Sequence, residues 1–131
     1  LERPLLWSLH LAYGCMVLAF ALAAAASFGM LPFTLAMHLL ALGGIGLVTV
    51  SMMARIALGH TGRDVHAPPR ALSGVFALLV ASMVARVLLP LAWPSHYVAL
   101  VVAAQALWIA CFAWLCVLYA PLLLAPRADA G

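Results

Sequence analysis

Two long stretches without a charged residue constrain this chain more than any other feature of its sequence. The first separates Arg3 from Arg55, and the second separates Arg86 from Arg127. About 20 apolar residues cross the hydrocarbon core of a bilayer, so each stretch is long enough for more than one span. Lipid permits only helices or a closed barrel, and these runs lack the alternation of barrel strands. The sequence therefore predicts an all-α, polytopic transmembrane helical bundle.

Composition excludes the other large classes of protein. Apolar residues make up 69% of the chain and charged residues only 7%, whereas a soluble domain usually carries about 25% charged residues. The net charge of +3 comes from scattered arginines beside apolar runs. Because these arginines form no patch, we expect a lipid bilayer as partner and no nucleic acid.

Breaks in the apolar runs predict four spans that form one four-helix unit. Gly29 and Pro32 mark the first break, residues 58–70 form a polar loop, and Pro90 with Pro94 marks the third break. The predicted spans cover residues 4–27, 33–57, 71–89 and 96–124.

The first span has a competing interpretation as a signal peptide, because Arg3 and the small residues that end the span suit one. Trp7, His10 and Tyr13 are unusual in the apolar region of a signal. Leu1 is not a start methionine, so we expect the chain to be a piece of a longer polypeptide.

Arginine placement predicts the orientation of the spans. Arg3, Arg55, the loop arginines Arg63 and Arg70, and Arg127 fall on one side of the predicted bundle. Only Arg86 lies near the other side. By the positive-inside rule, we expect both ends of the chain and the long loop to be cytoplasmic.

Histidines are the first candidates for chemistry, because ionisable groups in spans are costly and usually functional. His38 lies inside the second span, His10 lies near the loop side of the first, and His60 begins the loop. Imidazole ligates both haem iron and copper. A rise of about 1.5 Å per residue places His10 and His38 roughly 20 Å apart in depth. The pairs that can form are therefore His38 with His96 and His10 with His60; a structural hydrogen bond to a neighbouring helix is the alternative for His38.

Three arginines are candidate anion clamps. Arg55 and Arg63 lie at a predicted membrane rim, where guanidinium groups suit carboxylates such as haem propionates and equally suit lipid phosphates. Arg86 lies inside the third span. It either extends its side chain to the surface or pairs with a buried anionic group.

Small and sulfur-containing residues leave further alternatives open. The glycines at 43, 44 and 46 allow close approach by another helix or by a flat macrocycle. Met52 and Met53 are either core residues or soft copper ligands. We interpret the three cysteines as small apolar membrane residues. All three acids lie outside the spans, so carboxylate acid–base catalysis is not expected.

One group of motifs resembles the NnrS family over nearly the whole chain. The resemblance rests first on the stretch from His38 to Gly46, on Met52-Met53-Ala54-Arg55, and on Leu58-Gly59-His60-Thr61-Gly62-Arg63. Flanking matches are Pro4-Leu5-Leu6-Trp7 with His10, Arg86 with Pro90, and Tyr119-Ala120-Pro121.

The resemblance implies the C-terminal third of a longer bacterial inner-membrane protein that contains haem and copper and is linked to nitric oxide metabolism, denitrification and nitrosative stress. It also implies that the remaining helices of the full protein, and nitric oxide, are partners. His38, His10 and His60 are then the expected metal ligands, and Arg55, Arg63 and Arg86 the expected cofactor clamps. A transporter or channel-like module and a cofactor-free assembly subunit are the competing functions.

Overall fold

Four long helices make up most of the described part of the chain. The computed structural model describes residues 4–126 and residue 128. Helix α1 spans Pro4–Ser27, α2 spans Phe33–His60, α3 spans Leu72–Ala92 and α4 spans Pro94–Leu124. All four are long and apolar enough to cross a membrane, and the described residues contain no strand. The predicted all-α bundle with four spans is confirmed. Arg3 and Arg127, used to predict the orientation, lie outside the described residues.

Helices α1 and α2 end in the same hydrogen-bonded motif around a glycine. Gly29 follows α1 with φ of 72°, and Gly62 follows α2 with φ of 69°. The N–H after each glycine donates to a carbonyl in the last helical turn, over 3.3 Å in α1 and 2.9 Å in α2. This is the Schellman motif, which needs a residue that accepts the left-handed conformation.

A π-helical segment interrupts α2 at Leu39–Gly46 and α3 at Val84–Leu88. In α3 the cause is Pro90, which has no N–H to donate to the carbonyl of Arg86 and whose ring crowds that carbonyl. In α2 the segment contains three glycines, whose helix propensity is low. Segments of this kind are frequent at functional sites.

Tight packing fills the space beside the glycines of α2. Helix α1 packs chiefly on the π-helical segment of α2, and α3 packs chiefly on α4. A Cβ added at Gly43 would lie 2.6 Å from Met83 Sδ and 2.8 Å from Cys15 Sγ. Side chains of α1 and α3, rather than room for a macrocycle, therefore explain Gly43.

The bundle has an apolar core and an apolar outer surface. Phe76, Leu47 and Leu79 are fully buried, while Val17 and Val117 are more than 70% exposed. An apolar outer surface of this kind suits contact with lipid rather than with water.

Candidate functional site

One cleft brings together two residues singled out from the sequence, His38 of α2 and Arg86 of α3. This His38–Arg86 cleft lies between α2, α3 and α4 and has a volume of about 420 Å³. The other side chains that line it are Leu42, Ser82, Ala104, Gln105, Trp108 and Ile109. His38 directly precedes one π-helical segment and Arg86 lies within the other, so an irregular turn adjoins His38 and contains Arg86.

A backbone hydrogen bond fixes the His38 ring. Its Nδ1 lies 2.6 Å from the carbonyl oxygen of Thr34, one turn earlier in α2. Because a carbonyl only accepts, Nδ1 carries the proton and donates it. In the neutral ring this tautomer leaves Nε2 as the nitrogen that can bind a metal. Because Thr34 belongs to the same helix as His38, Nδ1 does not make the hydrogen bond to a neighbouring helix that was the structural alternative.

Arg86 is half-buried and contacts an aromatic ring instead of an acid. Its Nη1 donates to Tyr97 Oη over 3.2 Å, and its Cζ lies 5.5 Å from the centre of the Tyr97 ring. This cation–π contact orients the guanidinium without neutralising it. The only acid among the described residues, Asp64, lies in the loop between α2 and α3.

The cleft also contains polar groups that sequence reasoning missed. Gln105 lies on α4 and lines the cleft, and Ser82 donates its hydroxyl to the carbonyl of Ala104 over 2.9 Å. Trp108 lines the cleft and packs on Phe112, with ring centres 4.5 Å apart. A glutamine inside an apolar span is a signal that the rule for intramembrane polar residues could have used.

The second group of motif residues lies at the loop end of the bundle. Arg63 is half-buried, and its Nη1 donates to the carbonyl of Leu122 over 3.1 Å. That carbonyl lacks a helical partner, because the residue four positions later is Pro126, which has no N–H. Thr61 is buried and donates to the carbonyl of Ala57 over 2.7 Å. The motif therefore ends α2 and ties it to the end of α4.

Arg55 and Arg63 do not share a cleft. Arg55 lines a separate cleft of about 250 Å³ at the loop end, together with Pro4, Leu5, Leu6, Val65, His66 and Pro68. This cleft joins the start of α1 to the loop. The two predicted rim arginines therefore lie beside different helices, Arg55 near the start of α1 and Arg63 at the end of α4.

The remaining histidines are dispersed. His10 is exposed on α1, and its Nδ1 lies 2.8 Å from the carbonyl of Leu6. His60 lines an apolar cleft of about 300 Å³ between α2 and α4. His96 lies in the exposed first turn of α4, with Nδ1 3.0 Å from Ser95 Oγ. Of these histidines, His10 resembles His38 in that its Nδ1 donates to a carbonyl one turn earlier in its own helix.

Within the part of the chain that the structure describes, no cluster of three or more histidine, cysteine or acidic side chains forms. The rise of about 1.5 Å per residue also separates His38 from Arg55 by about 25 Å along α2. One bound group at the His38–Arg86 cleft therefore cannot contact Arg55.

Comparison with known protein families identifies the family of this chain. The model of the family described as NnrS protein matches residues 1–127. No curated protein and no solved structure matches the chain.

Proposed function

The chain belongs to the NnrS family, and we propose that it is part of a polytopic inner-membrane metalloprotein that binds haem, copper or both and acts in the response to nitric oxide and in denitrification. The observation that carries the proposal is a cleft between apolar helices that is lined by both the His38 imidazole, whose Nδ1 is held by a backbone carbonyl, and the Arg86 guanidinium, which pairs with no acid among the described residues. Membership of the family and four apolar helices support the membrane setting. The cofactors and the link to nitric oxide are what membership implies.

The residues of the His38–Arg86 cleft fit haem by the chemistry of their donor groups. His38 Nε2 would ligate the haem iron, and Arg86 would hold a propionate through charge-assisted hydrogen bonds. The Thr34 carbonyl holds the imidazole in its ligating tautomer, and Tyr97 holds the guanidinium at the cleft. Haem, when bound, supplies an iron that takes up small ligands, with access controlled by the polarity of the surrounding pocket.

We assign the other predicted site residues to the opposite end of the bundle. His10 and His60 stay proposed metal ligands there, and Arg55 and Arg63 stay proposed clamps for carboxylate or phosphate. One Nη1 bond of Arg63 is already made to Leu122, so its part in anion binding would use its remaining N–H groups.

We also propose that the chain is one four-helix unit from the C-terminal third of the full protein, in the bacterial inner membrane. The start of α1, the loop and the end of α4 meet at one end of the bundle, through the Arg55 cleft and the Arg63 contact. Because the loop arginines lie at this end, the positive-inside rule supports a cytoplasmic position for it.

An absorption spectrum of the purified full-length protein after haem-replete expression tests the proposal. A Soret band that changes in both His38→Ala and His38→Gln is expected, because glutamine keeps a hydrogen bond and is a poor ligand for iron. His66→Gln, in the exposed loop, is the matched control and should leave the spectrum unchanged. Absence of haem and copper from the wild-type protein would contradict the proposal and favour a transporter or an assembly subunit.

The same spectrum tests Arg86. Arg86→Gln should reduce the haem retained per folded molecule, because it removes the charge proposed to hold a propionate. Arg70→Gln, a change of the same kind in the exposed loop, should retain haem as the wild-type protein does. Equal retention in the two variants would show that Arg86 does not hold the cofactor.

A further inference from the structure

Two sulfur atoms meet inside the bundle, on side chains that do not line the His38–Arg86 cleft. Cys15 of α1 and Met83 of α3 are 6% and 8% exposed, and Cys15 Sγ lies 3.6 Å from Met83 Sδ. We propose that this pair is a binding site for a soft monovalent cation, Cu(I). The choice of copper as the physiological metal rests on the proposed function. The preference for a soft cation does not, because it follows from the two sulfur atoms themselves.

The surroundings of the pair contain no competing hard ligand among its core neighbours. The buried residues that pack with the two sulfurs are Ala19, Leu39 and Val87, which are all apolar. Thiolate and thioether sulfurs select Cu(I), whereas carboxylates, carbonyls and water favour hard cations. The donor set therefore favours a soft metal over magnesium or calcium.

Charge decides the oxidation state that the site accepts. Cys15 is the only ionisable donor of the pair, and its thiol must lose a proton to the aqueous phase when it binds a metal. A monovalent cation then forms a neutral complex with one thiolate and one thioether. Cu²⁺ or Zn²⁺ would leave a net positive charge between apolar helices, which is costly to bury.

Glycines of α2 provide the close approach that the pair needs. A Cβ at Gly43 would lie 2.6 Å from Met83 Sδ and 2.8 Å from Cys15 Sγ, so only glycine allows both sulfurs to reach this part of α2. The next glycine, Gly44, is covered by Met16, with Cγ 2.8 Å from the position of an added Cβ. Met16, which follows Cys15 on α1, thus packs on the neighbouring glycine of α2.

Cu(I) binding to the full-length protein, measured under reducing conditions by competition with a chelator of known affinity, tests the site. Cys15→Ala and Met83→Leu should each weaken Cu(I) binding by at least about tenfold, which corresponds to about 1.4 kcal/mol. Matched controls are Cys111→Ala, which removes another buried cysteine, and Met52→Leu, which removes an exposed methionine. Both controls should bind Cu(I) as the wild-type protein does.

X-ray absorption of the copper-loaded protein provides a second readout that does not depend on activity. Sulfur ligands are expected in the wild-type protein, and their number should fall in Met83→Leu, a substitution that nearly conserves volume and fold. A purely structural S–H···S contact would instead lower stability in Cys15→Ala while copper content per folded molecule stayed unchanged.

The outcomes separate this inference from the proposed function. Copper retained in both variants, or copper without sulfur ligands, would overturn the Cys15–Met83 site while a haem or copper signal of the wild-type protein still supported the proposed function. A wild-type protein that binds no Cu(I) after loading would overturn the site as well. Absence of both haem and copper would contradict the proposed function.

Discussion

Adding a single methyl group at Gly43 should distinguish the effect of tight packing on the stability of this bundle from the effect of helix propensity. Gly43→Ala places a Cβ 2.9 Å from Cys15 Cβ as well as close to the two sulfurs. Sulfur atoms at the ends of side chains can move, but Cys15 Cβ moves only with the backbone of α1. The substitution must therefore shift α1 away from the π-helical segment of α2.

The matched control is Gly14→Ala, because a Cβ at Gly14 meets nothing within 4 Å. Both substitutions gain the advantage of alanine over glycine in a helix, about 0.5–1 kcal/mol. Only Gly43→Ala adds an overpacking cost of about 1–3 kcal/mol. We expect Gly43→Ala to be less stable than Gly14→Ala by that overpacking cost, since the helix term cancels.

Reversible unfolding of the two variants in the same detergent or bicelle gives the difference directly. Equal free energies of unfolding, within about 0.5 kcal/mol, would refute the close approach of α1 and α3 to Gly43. Cu(I) binding by Gly43→Ala should also fall, because the added Cβ displaces both proposed ligands.

Three further predictions concern the two ends and the middle of the bundle. Arg63→Gln should lower the free energy of unfolding by about 1.5–3 kcal/mol, because the carbonyl of Leu122 loses a charged donor. A loss below about 0.5 kcal/mol would contradict a stabilising hydrogen bond between Arg63 and Leu122. Ser8→Ala should cost about 1–3 kcal/mol, since it leaves the buried hydroxyl of Ser51, now 2.7 Å away, without that partner. Replacing both serines by alanine should cost less than the sum of the single changes, and additivity would argue against the bond. A reporter fused after Arg70 should be cytoplasmic and one in the turn between α3 and α4 periplasmic, and the reverse result would invert the proposed orientation.

Sequence was sufficient to predict the helices because local chemistry determines where they end. Gly29 supplies the positive φ that ends α1, and the predicted break lies around it. The polar loop after α2 follows the same logic at Gly62. These signals need no knowledge of which helices are neighbours, so they can be read along the chain.

Contacts between helices could not be predicted in the same way. Cys15 and Met83 are separated by 68 positions in the sequence, and their contact depends on the register of α1 against α3. We interpreted the cysteines as small apolar residues because spacing along one helix contains no information on that register. Met52 and Met53, which stood out as a pair, are both more than 40% exposed and do not lie in the core.

The ends of the bundle differ in a way that bears on where a ligand can enter. At the loop end, Pro126 removes the donor that the carbonyl of Leu122 needs, and Arg63 supplies a replacement from the loop. This hydrogen bond ties the end of α2 to the end of α4. Towards the other end, the π-helical segments of α2 and α3 adjoin the His38–Arg86 cleft. Because the cleft and both irregular helical segments lie in the half of the bundle away from the loop, that half is where these helices can accommodate a bound group.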